Sequence, residues 1–239
     1  MKKLFLILAV LLVATALFAS VTINAGGTFA FSDNNPVKFA DAVAPFNDGF
    51  GFKMSGFGFN IDVMEDVSSN LVAYSAVAMV FPKDATVDNG TEEFLLSKRV
   101  KQDMDDHPGL SIEYSLYHYS VSAGVAYKLD LSAIKLAIGA GLSYNHSVML
   151  IKSVNALLVK EEMKIDYFNI GLNGFIDARF MFNSDIGIGI TAVPQIGLFN
   201  VAKVKVTSSS TAVPRTDETV RGFKVNFAIP VSVGVSYTF

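Results

Sequence analysis

Over the last seventeen residues of the chain, apolar side chains alternate with small or polar ones. Phe223, Val225, Phe227, Ile229, Val231, Val233, Val235, Tyr237 and Phe239 hold the odd positions. Lys224, Asn226, Ala228, Pro230, Ser232, Gly234, Ser236 and Thr238 hold the even ones. Period-two alternation marks a strand with one apolar face. This strand is long enough to cross a bilayer at a tilt and project beyond it. The pattern recurs at 21–32, 49–63, 110–128, 134–145 and 168–180, and again from Ile186. The segment 71–81 is apolar on both parities, so its facing stays open. In 49–63, Phe50, Phe52 and Met54 have the opposite parity to Phe57, Phe59, Ile61 and Val63, which predicts a bulge near Ser55 and Gly56. A second parity shift falls near Leu116 and Tyr117.

Eight strands follow, with connections that alternate in length. Those at 64–70, 129–132 and 181–185 are short; the others are longer, and 82–108 is the longest. Short turns at one end and long loops at the other are the asymmetry of membrane barrels. An even strand number puts both chain ends on the short-turn side. Ten strands follow instead if the longest loop hides a hairpin. Within that loop, acids precede bases from Glu92 to Lys101, with Thr91 in capping position, which predicts a short surface helix.

The first residues have a different pattern. Lys2 and Lys3 precede an apolar run from Leu4 to Phe18, the layout of a secretory signal with cleavage after Ala19 or Ser20. The chain therefore divides into a signal peptide, 1–20, and one barrel domain, 21–239. There is no cysteine, so neither lipid attachment through a thiol nor a disulfide framework enters the picture.

Alternation alone does not say which face looks outward, and a soluble lipocalin-like periplasmic barrel is the competing reading. Charge separates the two, because a soluble barrel needs a well-charged exterior. Here the polar faces are mostly Gly, Ala, Ser, Asn and Thr; the strand at 134–145 carries only Lys135, and that at 21–32 carries none. Eleven charged residues gather instead in the loop after the third strand. The pattern favours lipid outside. A net charge of −3 with scattered basic residues gives no footprint for nucleic acid.

The ending Val233, Val235, Tyr237, Phe239 resembles the assembly signal of bacterial outer-membrane barrels. The whole organisation resembles the small outer-membrane barrels of the OmpA-transmembrane, OmpX and OmpW type. That resemblance implies an all-β, closed, antiparallel transmembrane barrel in the outer membrane of a two-membrane bacterium. It also implies contact with outer-membrane lipid and recognition of the C-terminal strand by the assembly machinery. Two roles are compatible with it. One is a structural or surface-interaction role in the cell envelope, with an extracellular partner at the long loops. The other is a narrow passive channel or lateral route for small apolar solutes.

Candidate chemistry is sparse. His118-Tyr119-Ser120 resembles the His-x-Ser of outer-membrane deacylases, but no carboxylate stands on the next strand to orient the imidazole. Asp103, Asp105 and Asp106, with Asp88, Glu92 and Glu93, lack calcium-loop spacing and read as a solvated loop. The expectation is no enzyme, no cofactor and no metal. Asp62, Lys135, Asp177, Arg179 and Lys224 fall on inward parity and are expected to form a lumenal charge network. Tyr114, Tyr117, Tyr127, Tyr144, Tyr167, Phe180, Tyr237 and Phe239 read as interfacial girdles. Pro194 and Pro230, on neighbouring strands, each remove a ladder donor and predict a weak lateral seam.

Overall fold

The computed structural model describes residues 20–37, 50–210 and 216–239; the signal segment and its cleavage site lie outside the described residues, except for Ser20. Among the described residues ten strands are formed: β1 (Val21–Val37), β2 (Phe50–Asp66), β3 (Leu71–Asp88), β4 (Glu93–Leu95), β5 (Ser111–Leu131), β6 (Ile134–Val154), β7 (Lys160–Met181), β8 (Ile186–Ala192), β9 (Gln195–Ser208) and β10 (Thr216–Thr238). One helix, α1 (Leu96–Asp106), follows β4. The strands pair antiparallel in sequence order, with β8 and β9 together forming one wall strand between β7 and β10. β10 then returns to β1 over twelve residue pairs, from Thr22 opposite Thr238 to Asp33 opposite Phe227. The result is a closed ring of eight strands. The longest loop does fold back as a short hairpin, β4 on β3, before α1, but β4 lies off the ring and the ring stays at eight.

Ser20 and Phe239, the first and last described residues, lie at the short-turn end, where the amide of Phe239 donates to Val21 O and that of Asp66 to Ser20 O. The outward faces are apolar throughout the ring. Ile138, Leu142, Ile170, Leu172, Ile188, Ile190, Val233 and Val235 are all well exposed. On β6 the outward apolar run extends from Ile134 to Tyr144, and His146 follows. Ten steps at ~3.4 Å, reduced by strand tilt, give roughly 25 Å, the height of the apolar band of such barrels. With the lumen closed by side chains, an exterior of this kind is satisfied only by hydrocarbon.

Both apparent parity shifts have the same cause, and it is not the expected one. Even-numbered side chains face inward along all of β2 and β5, so Phe50, Phe52, Met54 and Leu116 point inward like Asn60, Asp62, His118 and Ser120. What changes is the interior, which turns from polar to apolar towards the loop end. A bulge does exist beside Ser55, but the extra residue is on β3. Met54 faces Ala85 and Gly56 faces Pro82, so Lys83 and Asp84 together oppose Ser55.

Placing a charge on the wall distinguishes lipid from water outside. Ile138→Arg, in the middle of the outward band, is expected to lower folding stability by about 2–4 kcal/mol in lipid, while Leu157→Arg, in the exposed β6–β7 turn, changes it by less than about 1. Denaturant titration in vesicles reads both. Equal effects at the two sites overturn the membrane-embedded wall.

Candidate functional site

The lumen is filled in three layers. At the short-turn end, Asn60 and Asn24 donate to the Asp62 carboxylate, Asn24 also donates to Thr191, and Thr191 donates to Asp177. Asp177 pairs with Arg179 at 2.8 Å, both almost fully buried, and Arg179 reaches Met64 Sδ on β2. This chain of bonds ties β1, β2, β7 and β8 across the tube. Lys135 lies beside it at the short-turn mouth, near the Lys128–Asp66 ion pair. Lys224 stands apart, exposed near the loop end of β10, with its carbonyl accepting from Asn200.

The middle layer is uncharged. Tyr74 and Phe175 stack with centroids 4.0 Å apart, and Asn173 donates to the Tyr74 hydroxyl. A Cβ at Gly124 would lie 2.7 Å from that hydroxyl, so the ring needs glycine beneath it. Gln195 donates to Ser120 and Ser122, while Asn145 donates to Asn169 and Asn226 to Asn200. His118 is buried against Ser147, 3.0 Å away, and Ser120 is engaged by Gln195. His118 and Ser120 are thus held as packing partners of other residues and do not meet as a base and nucleophile pair.

The loop-end layer is apolar. Phe50, Phe52, Met54, Leu116, Met149 and Ile165 form a buried cluster, with Ala202 and Val204 from β9. Leu96 and Val100 of α1 are buried in the same cluster and Met104 packs on it, at the one-turn spacing that gives a helix one apolar face. The helix begins later than the charge pattern suggested. Asn89 accepts from the amides of Thr91 and Glu92, and Glu93–Leu95 is drawn into pairing with β3, leaving Leu95 rather than Thr91 at the cap.

The wall opens beside this layer. The β3–β5 ladder ends at Val80 opposite His118, although β3 continues to Asp88 and β5 starts at Ser111. Above that point β3 pairs with β4, and the Tyr114 hydroxyl donates to Lys83 O across the gap. α1 is held over it by Asp84, which accepts from both the amide and the hydroxyl of Ser97. A cleft of about 590 Å³ dips into the wall at the bulge. Its sides are the lipid-facing Phe31, Phe57 and Phe81, and its lining includes Met54 and Ala85 of the interior cluster, with Leu95 of β4. At its rim, above the apolar band, Lys53 pairs with Glu93 at 2.8 Å, and this bond raises its pKa. Burial raises that of the Asp33 carboxyl, with Lys53 acting in the opposite sense.

Pro194 and Pro230 do lie side by side, where β8 passes into β9. Main-chain donors nevertheless cross the kink on both flanks, from Val193 to Pro230 O at 3.0 Å and from Gly174 to Pro194 O at 2.8 Å. The cleft, Asp84, Ser97 and the α1 face escaped the sequence reading. Their available signals were Pro82 inside a strand pattern and the Leu96, Val100, Met104 spacing.

No family model matches the chain, and no curated protein matches it. Solved structures do. The outer membrane protein OprG of Pseudomonas aeruginosa aligns over 93% of this chain and 96% of its own, with TM-score 0.56 and 14% identity. A major outer membrane protein of Thermus thermophilus aligns over 90% and 99%, with TM-score 0.56 and 13% identity. The fold is that of the small outer-membrane β-barrels.

Removing one partner of the short-turn network strands a buried charge. Asp177→Ala is expected to cost about 3–5 kcal/mol, and the double variant Asp177→Leu with Arg179→Met much less than twice that. Urea unfolding in detergent micelles measures both.

Proposed function

We propose that this protein is an outer-membrane barrel that passes small apolar molecules sideways, between its apolar outer chamber and the surrounding lipid. The observation that carries the reading is the cleft at the β2–β3 bulge, where residues of the interior cluster and lipid-facing phenylalanines line one space. An apolar interior at the end that faces water is costly to expose, and an inert anchor has no use for one. The lower layers argue against a straight path, since the Asp62–Thr191–Asp177–Arg179 chain and the Tyr74–Phe175 stack cross the tube. α1 serves as the shutter, with its apolar face inserted in the chamber and the Asp84–Ser97 bonds as its latch.

A surface-interaction role is the second reading. It is favoured by the long β6–β7 hairpin, whose tip bounds a polar cleft of about 550 Å³ containing Lys152, Lys160 and Glu162. Deleting that tip separates the two readings, because it removes partner binding but leaves apolar uptake intact.

Uptake of an apolar fluorophore into vesicles containing the refolded barrel tests the first reading. The wild type is expected to speed uptake without ionic conductance. Replacing the latch by Asp84→Ala with Ser97→Ala removes two bonds worth ~1 kcal/mol each, raising the open population and the rate about thirtyfold. A steady ionic conductance, or uptake equal to empty vesicles in both proteins, overturns it.

A further inference from the structure

The outer wall carries a second surface, remote from the bulge and independent of the lateral-route reading. On β7 and β10 the outward apolar run ends in an aromatic side chain, Phe168 and Phe223, and on β9 it passes Phe199 and ends at Val201. The rings of Phe199 and Phe223 meet edge to face with centroids 5.4 Å apart. Towards the loop end basic residues follow: Arg221 next on β10, Lys203 and Lys205 beyond Val201 on β9, and Lys164 beyond Asp166 on β7.

Lys164 lies directly opposite Lys205 in the β7–β9 ladder. Like charges in that relation repel and destabilise a sheet, and on its other side Lys205 lies opposite Asp217 of β10. Two carboxylates answer four cations. Asp166 takes Lys164 at 2.7 Å and Asp217 takes Lys203 at 3.2 Å. Asp166 is shared further with His146, at 2.9 Å. Lys205 and Arg221 are exposed, and neither forms an ion pair among the described residues. The patch therefore keeps a positive excess at the height where the apolar band gives way to headgroups. A neutral headgroup or plain water does not complement that charge; a phosphate held there by its own acyl chains does.

We infer that Lys203, Lys205 and Arg221, with Lys164, dock the phosphates of an anionic outer-leaflet glycolipid whose acyl chains lie along Phe168, Phe199 and Phe223. Position selects the lipid over a soluble polyanion, because the basic residues begin within two outward positions of the last apolar side chain on each strand. Juxtamembrane basic side chains gain attraction to anionic lipid that decays within a Debye length of the surface. A patch at this height is thus tuned to headgroups and not to molecules beyond the loops.

The test uses the full mature barrel refolded into phosphatidylcholine vesicles doped with bis-phosphorylated lipid A, extracted gently and weighed by native mass spectrometry. The wild type is expected to retain the phosphorylated lipid. The variant Lys203→Gln, Lys205→Gln, Arg221→Gln is expected to retain roughly tenfold less or lower. A control variant, Lys53→Gln with Lys83→Gln on the opposite wall, is expected to match the wild type. A heat-modifiable gel shift shows that each variant is folded. Retention of dephosphorylated lipid A equal to that of the phosphorylated form overturns the proposal, since acyl contact alone then suffices. Equal retention by the triple variant and the wild type overturns it too, as does loss in the control variant of the same size.

Discussion

Closure of the sheet between β10 and β1 is the contact on which the rest depends. Within hydrocarbon no water is present to satisfy a free amide or carbonyl, so an open edge cannot persist there. The twelve residue pairs between β1 and β10 remove that edge, and they enlist the terminal strand to do it. The same strand ends in Tyr237 and Phe239, whose rings pack edge to face at the short-turn rim. Once the ring is closed at eight strands, its interior is only wide enough to be filled by side chains. The layered lumen is a consequence of closure.

Filling a narrow tube with polar groups imposes its own accounting, because each must find a partner out of water. The solution is to span the tube. Asn24, Asp62, Thr191, Asp177 and Arg179 come from four strands yet form one connected chain. Towards the loop end the problem is different. There the wall rises above the lipid, apolar side chains fill the interior, and water is the threat. α1 meets it by inserting Leu96 and Val100 into the cluster from above.

Much of the wall was legible in the sequence, since alternation survives wherever lipid lies on one face and a polar lumen on the other. β6 and β10 read cleanly for that reason. The reading failed where the inside also became apolar. Phe50, Phe52, Met54 and Leu116 then mimicked a change of face, although the backbone of β2 and β5 never changed parity. The real irregularity, Lys83 and Asp84 on β3, was silent because β3 is apolar on both parities below it. Of the expected lumenal charges, Asp62, Asp177 and Arg179 come together. Lys135 lies at the mouth and Lys224 outside, because parity fixes a face but not a depth, and at the loop end the wall stands in water. Asp84 and Ser97 meet across thirteen residues, a contact between a strand and a helix start that no spacing along the chain announces.

The positions of the two irregularities follow from the same solvent argument. Pro194 and Pro230 lie within the apolar band, flanked by outward Ile190, Ile196, Ile229 and Val231. A break in hydrogen bonding there would leave donors facing hydrocarbon, and the chain instead keeps Val193 and Gly174 bonded across the kink. The β3–β5 ladder, by contrast, stops beside Phe81 and Tyr117, at the outer limit of the band, where water reaches the freed groups. A lateral opening in such a wall is therefore confined to a narrow height. Lower, the backbone cannot spare its bonds; higher, the opening would face water and no longer reach lipid. The cleft at the bulge lies at that height, which is why the proline pair, though the louder signal in the sequence, is the quieter place in the structure.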